Sequence, residues 1–130
     1  MRKVAIFDID GTIFRSSLLI ELVEVLIERG TFPLSVRVEY HEEKVQWLDR
    51  KGDYEEYIMA VVKVFLKHIK GVHFGEFTTA AKIVVDRYRN RTYRFTEDLI
   101  QELKKKDYYL LAVSQSPKGI LDLFCQELGF

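Results

Sequence analysis

Two short apolar segments constrain the fold most, because they lie far apart in the chain and only helical patterns separate them. Residues 3–8 read Lys-Val-Ala-Ile-Phe-Asp, and residues 108–113 read Tyr-Tyr-Leu-Leu-Ala-Val. Unbroken apolar runs of this length are typical of strands buried on both faces of a parallel sheet. We therefore expect two parallel strands in one sheet, the first of them central, joined by a long helical connection.

The remaining segments have helical periodicity, with apolar residues recurring every three to four positions and glycines or capping residues near the ends. Four consecutive helices joined by short turns follow the first strand segment, and short turns predict a compact antiparallel bundle. The predicted helices cover residues 17–29, 33–50, 53–69, 74–90, 96–106 and 116–128, with Pro33 and Pro117 at first helical positions and Asp53, Thr96 and Ser116 as N-caps.

This order of elements predicts an α/β protein with two domains. Residues 1–14 and 93–130 are expected to form an incomplete, doubly wound (Rossmann-like) core. Residues 15–92 are expected to form a helical bundle inserted after the first strand.

Composition and charge argue against several classes of partner. The chain has 20 Lys and Arg against 20 Asp and Glu, so it has no net charge to attract nucleic acid or an anionic membrane. No apolar stretch approaches the roughly 20 residues that span a bilayer. Cys125 is the single cysteine and cannot form an intrachain disulfide, which favours a reducing compartment. We expect a cytoplasmic protein without nucleic-acid or membrane partners.

Polar residues end both predicted strands. Asp8 and Asp10 follow the first strand, and Ser114 follows the second. Active groups of open parallel sheets lie beyond the carboxyl ends of the strands, so these side chains should meet. Carboxylates beside a buried strand need solvent, hydrogen bonds or a cation, and Mg²⁺ is often held by one or two carboxylates plus a substrate phosphate. Asp8 and Asp10 are thus candidate ligands of Mg²⁺, while a solvated turn is the alternative interpretation.

The run Phe7-Asp8-Ile9-Asp10-Gly11-Thr12 resembles the first motif of the haloacid dehalogenase (HAD) superfamily, and the strand ending in Ser114 resembles its second motif. The helical insertion after the first motif is similar to the cap of the branch that includes phosphoserine phosphatase and related subfamily IB hydrolases. The resemblance implies a HAD-like core with a helical cap. It also implies an Mg²⁺-dependent hydrolase of phosphate monoesters that works through an aspartyl-phosphate.

The resemblance further implies a role for each motif residue. Asp8 would be the nucleophile that attacks phosphorus, and Asp10 would be the general acid and then the general base. Both residues would hold Mg²⁺. Ser114 would bind the phosphoryl group, together with Gly11 and Thr12 of the turn. The expected partner is a small phosphorylated metabolite.

Three features depart from this pattern or leave it open. The family's third-motif lysine and its later acidic residues do not occur before Phe130, so we expect the N-terminal part of a longer phosphatase. Phosphoserine phosphatases carry a glutamate shortly after the first motif, whereas residues 14–17 contain no acid. Arg15 could bind a substrate anion there, although a solvated surface charge is the simpler interpretation.

The alternative function is a non-catalytic HAD-like binding or interaction module that oligomerises through exposed sheet edges.

Overall fold

The computed structural model describes all of residues 1–130 and contains two strands and six helices. The chain is therefore a mostly helical α/β protein with a small parallel sheet, as expected from the sequence. No helix has the length and apolar character that crossing a membrane requires. The elements are β1 (Val4–Asp8), α1 (Leu18–Glu28), α2 (Val36–Leu48), α3 (Tyr54–His68), α4 (Phe74–Tyr88), α5 (Arg94–Lys105), β2 (Tyr109–Val113) and α6 (Lys118–Leu128).

The chain divides into two compact units. Residues 1–18 and 81–130 form the first unit, which contains both strands with α5 and α6. Residues 19–80 form the second, which contains α2 and α3. The domain boundaries expected from the sequence, 1–14 with 93–130 and 15–92, stay a prediction.

The sheet of the first unit is parallel, with Val4 opposite Tyr109 and Asp8 opposite Val113. Its inner face is covered: Phe7 is 8% exposed and packs edge-on against Phe130 at a centroid distance of 6.0 Å. The outer face is open, since Ile6 is 66% exposed and Val113 is 56% exposed. The expectation of a central strand buried on both faces is wrong. An unbroken apolar run cannot reveal how many faces of a strand are covered, because both faces carry the same kind of side chain.

Two helices of the first unit begin elsewhere than the sequence predicts, because the predicted caps bond to distant partners. Helix α5 begins at Arg94, and the Thr96 hydroxyl donates to the Thr12 carbonyl at 2.9 Å instead of capping the helix. Helix α6 begins at Lys118, and the Ser116 hydroxyl donates to Asp10. A serine or threonine hydroxyl can accept from a local backbone amide, as in a helix cap, or donate to a distant acceptor. Both hydroxyls donate to distant acceptors here.

The second unit shows one wrong and one correct helix start. Pro33 does not open α2, which begins at Val36 after a turn in which the Val36 amide donates to the Pro33 carbonyl at 3.0 Å. Asp53 caps α3 as predicted, because its carboxylate accepts from the Glu55 amide at 3.1 Å. A side-chain cap is readable from sequence when its acceptor and donor are close neighbours in the chain.

Polar contacts join the helices of the second unit. Glu24 of α1 accepts hydrogen bonds from Arg37 and from the buried Tyr40 hydroxyl of α2, and burial raises the pKa of Tyr40. Glu39 of α2 accepts from Lys67 at 2.7 Å and lies 2.7 Å from the His68 ring of α3. Hydrogen bonding to Lys67 lowers the pKa of Glu39.

The buried apolar residues of this unit are Leu19, Leu22, Val23, Val25, Leu26, Ile27, Phe32, Val36, Tyr40, Tyr57, Val61, Val64, Phe65 and Ala80.

Candidate active site

A tight turn follows β1 and sets the direction of both motif aspartates. The Ile9 carbonyl accepts from the amides of Thr12, Ile13 and Phe14 at 3.2, 3.0 and 2.9 Å. Gly11 occupies the turn with φ +81°, a left-handed backbone angle that favours glycine. The side chain of Ile9 is fully buried and anchors the segment. The aspartates on either side of Ile9 are therefore held by a rigid backbone.

Asp8 is the last residue of β1, and its side chain is exposed. The Thr12 hydroxyl donates to Asp8 Oδ2 at 2.8 Å, whereas Asp8 Oδ1 accepts no hydrogen bond. Hydrogen bonding thus distinguishes the two carboxylate oxygens, and Oδ1 is the one whose lone pairs are open to a ligand.

Asp10 lies beyond the strand and is half-buried. Its Oδ1 accepts from the Leu18 amide at 2.7 Å. Its Oδ2 accepts from the Ser114 hydroxyl at 2.6 Å and from the Ser116 hydroxyl at 3.1 Å. The Ser116 amide in turn donates to Ser114 Oγ at 3.0 Å. These bonds join the ends of the two strands across a sequence separation of 104 residues.

A short antiparallel contact fastens the other side of the turn. The Arg15 amide donates to the Arg91 carbonyl at 2.9 Å, and the Tyr93 amide donates to the Ile13 carbonyl at 3.0 Å. The Thr96 bond to the Thr12 carbonyl extends this contact by one turn of α5. The segment that carries the aspartates is thus supported by residues on both of its flanks.

The structure brings some of the predicted site residues together. Asp10 bonds Ser114, and Asp8 lies opposite Val113, the residue before that serine. Thr12 contacts Asp8, and Gly11 shapes the turn with its amide bonded to the Phe14 carbonyl at 2.8 Å. Their assignments as nucleophile, acid, phosphate ligands and metal ligands stay predictions.

Three further residues lie beside the motif residues. The Arg15 side chain is exposed and its amide donates in the antiparallel contact, so its role as a substrate ligand stays a prediction. The Leu18 amide and the Ser116 hydroxyl donate to Asp10, which the sequence pattern does not predict. The spacing Ser-x-Ser after a strand was the available signal, since both hydroxyls lie past the carboxyl end of that strand.

The oxygen donors of this turn suit a small divalent cation. The Asp8 carboxylate keeps lone pairs on both oxygens, because Thr12 donates only one hydrogen bond to Oδ2, and the Asp10 carbonyl accepts none of the backbone hydrogen bonds of the turn. No group of three or more His, Cys, Asp and Glu side chains is arranged to hold a metal. A pair of protein oxygens completed by water and substrate phosphate is a common arrangement for Mg²⁺, so the residues fit this ion.

Comparison with known proteins agrees with this geometry. A family model described as haloacid dehalogenase-like hydrolase matches residues 5–130, a range that includes all of β2, all but the first residue of β1 and the polar residues at the ends of both strands. The chain therefore belongs to the HAD-like hydrolase family, and this membership indicates hydrolase activity. No curated protein and no solved structure matches the chain.

Proposed function

We propose that this chain carries the nucleophile and the acid of a hydrolase of phosphate monoesters that works through an aspartyl-phosphate. The observation that carries the proposal is the meeting of Asp10 with Ser114 beyond two parallel strands, with Asp8 beside them. A nucleophile, a proton donor and a phosphoryl ligand are the three groups that such a reaction needs. Membership in a hydrolase family supports the same conclusion.

Asp8 is the proposed nucleophile. Its side chain is exposed, so a substrate can reach it, and the Thr12 hydroxyl occupies only Oδ2. Oδ1 is free to form a bond to phosphorus while the bond from Thr12 fixes the plane of the carboxylate. A fixed nucleophile avoids the entropic cost of orientation at the moment of attack.

Asp10 is the proposed general acid and base. Its carboxylate is partly removed from solvent and held by donors on both oxygens. A proton donor must reach the leaving oxygen within hydrogen-bond distance, and a fixed carboxyl two residues from the nucleophile meets this need. After the alcohol leaves, the same carboxylate takes a proton from the attacking water.

Ser114 and the start of α6 are the proposed phosphoryl ligands. The Ser114 hydroxyl is directed toward the space between the strand ends, where it now bonds Asp10. Helix α6 begins at Lys118, and the first amides of a helix have no preceding turn to bond. Such amides, together with the helix dipole, favour an anion.

Mg²⁺ is the proposed cofactor, held by the Asp8 carboxylate and the Asp10 carbonyl. Hydrolases of this family generally use this ion. When bound, it supplies positive charge that offsets the repulsion between a carboxylate and a phosphate dianion.

The position of the helices between the motifs supports a finer assignment. Helices α1 to α4 follow the first motif before β2, an order similar to the phosphoserine phosphatase and subfamily IB branch. We place the chain in that branch, with a small phosphorylated metabolite other than phosphoserine as substrate, since residues 14–17 contain no acid. We also propose a cytoplasmic location, which the single cysteine favours.

The substitution Asp8→Asn tests the proposal. Hydrolysis of p-nitrophenyl phosphate and of a panel of small phosphate monoesters is measured with Mg²⁺. We expect a loss of at least about 10³-fold in kcat, because a carboxamide cannot replace the nucleophile. Acid quenching during turnover should trap a phosphoryl group on the wild-type peptide that contains residue 8.

Asp107→Asn is the matched control. Asp107 is also exposed, lies before β2 and contacts Arg2 at 3.5 Å, so the same chemical change occurs away from the motif residues. The control should keep wild-type activity. Equal activity of Asp8→Asn and the wild type would remove the nucleophile assignment and the proposed function with it.

A further inference from the structure

The donors to Asp10 differ in kind between its two oxygens. Oδ1 accepts from the backbone amide of Leu18 at 2.7 Å. Oδ2 accepts from two hydroxyl groups, Ser114 at 2.6 Å and Ser116 at 3.1 Å. An amide N–H can only donate, whereas a hydroxyl can either donate or accept. A fixed amide therefore holds Oδ1, whereas two rotatable hydroxyls hold Oδ2.

A hydroxyl can rotate away from Oδ2 without any movement of the backbone. The direction of the Leu18 amide is fixed at the start of α1, so Oδ1 keeps its donor. We propose that Ser116 is the positioning residue that holds Asp10 Oδ2 when Ser114 binds the phosphoryl group. This inference rests on the proposed function.

Ser116 has this role because Ser114 cannot keep it during turnover. Ser114 has a single hydroxyl proton, which now points to Asp10 Oδ2, and its oxygen already accepts from the Ser116 amide at 3.0 Å. When Ser114 donates to a phosphoryl oxygen, it no longer donates to Asp10. The Ser116 hydroxyl then remains as the side-chain donor to Oδ2.

Ser116 keeps Asp10 in place through both steps of the proposed reaction. In the first step a bond forms between phosphorus and Asp8 Oδ1, the ester P–O bond breaks, and the proton of Asp10 moves to the departing oxygen to give an alcohol. In the second step water attacks phosphorus and gives a proton to Asp10. The bond between phosphorus and Asp8 breaks, which releases inorganic phosphate and restores both carboxyl groups. Ser116 exchanges no proton in either step.

The experiment compares Ser116→Ala with Ser114→Ala in steady-state hydrolysis of p-nitrophenyl phosphate, with inhibition by inorganic phosphate measured in parallel. Ser116→Ala should lower kcat by about ten- to hundredfold, the range for one hydrogen bond to a charged group, with the inhibition constant for phosphate unchanged. Ser114→Ala should weaken phosphate inhibition as well. Ser116→Thr keeps the hydroxyl and should restore most of kcat.

Ser35→Ala is the matched control, because Ser35 is exposed and its side chain makes no cap hydrogen bond. Melting temperatures of all variants identify any loss of folding. If Ser116→Ala keeps the wild-type kcat, or if Ser116→Thr is as slow as Ser116→Ala, the positioning role is overturned while the phosphatase function stands. A wild type that is folded and hydrolyses no monoester overturns the proposed function instead.

A second readout tests the contact without turnover. The ¹³C chemical shift of the Asp10 carboxyl carbon is measured in substrate-free protein. It should change in Ser116→Ala and stay constant in Ser35→Ala, because only the first removes a donor to Oδ2. An unchanged shift in Ser116→Ala would overturn the inference whatever the activity of the chain.

Discussion

Gly11 allows the turn that carries both aspartates to close, because its φ of +81° is strained for other residues. A Cβ at this position would meet no atom within 4 Å, so a substitution tests backbone strain without a clash. Gly11→Ala should lower the free energy of unfolding by about 1–2 kcal/mol. Gly11→Asn should cost less, because Asn adopts the left-handed region more readily. Urea denaturation measures both, and equal stability of all three proteins would contradict the argument.

Cys125 provides a residue-scale prediction about pH. Burial raises the pKa of its thiol from 9.0 to about 11. At pH 8 the folded protein should therefore react with iodoacetamide about 100-fold more slowly than the unfolded chain, since the thiolate is the reactive form. The rate should rise about tenfold per pH unit up to the raised pKa. A folded-state rate at pH 8 equal to that in denaturant would contradict the shift.

The individual site residues were only partly predictable from the sequence. Asp8, Asp10 and Ser114 stand out because they follow two predicted parallel strands, at the carboxyl ends where active groups lie. The local pattern predicts a helix cap at Ser116, whereas its acceptor Asp10 lies 106 residues away. Local patterns carry no information on such a distant acceptor, and the Leu18 amide has no side-chain signal at all.

At the scale of elements, Asp53 tests how far a local cap stabilises α3. Its carboxylate accepts from the Glu55 amide at 3.1 Å. Asp53→Ala should lower the free energy of unfolding by about 1 kcal/mol, because it removes the cap bond. Asp53→Asn keeps a capping oxygen and should stay near the wild type. Chemical denaturation measures both, and an Asn variant as unstable as the Ala variant would show that charge matters more than the cap.

Element types were predictable, whereas element boundaries and strand cover were not. The period of apolar residues identified six helices because it reflects one buried face per helix, and two unbroken apolar runs identified the strands. The start of α5 at Arg94 escaped prediction, since Thr96 gives its hydroxyl to the Thr12 carbonyl. The open face of the sheet was not predictable either, because the outer residues Ile6 and Val113 are as apolar as the inner Phe7.

At the scale of the whole molecule, the exposed outer face of the sheet should affect how the protein associates in solution. Ile6 and Leu111 are opposite each other in the register and are 66% and 41% exposed. Exposed apolar faces and open strand edges promote association. The double substitution Ile6→Thr with Leu111→Thr should therefore reduce concentration-dependent association in sedimentation and delay light scattering on heating.

The matched control for this prediction replaces two exposed apolar residues of α2, Val38 and Leu48, with threonine. These positions are 77% and 62% exposed but lie on a helix, where no strand edge is open. The control should leave association unchanged. An equal reduction by both pairs would attribute association to general surface hydrophobicity rather than to the sheet.

The parallel pairing of β1 with β2 also determines the order in which a growing polypeptide acquires its parts. Helices α2 and α3 contact each other over short sequence distances, so they can pack as soon as both have left the ribosome. β1 is made near the start of synthesis but has no partner until residues 109–113 follow. Asp10, which we propose as the general acid and base, would thus gain its serine partners late, and a nascent chain would not attack phosphate esters before translation has passed Ser116.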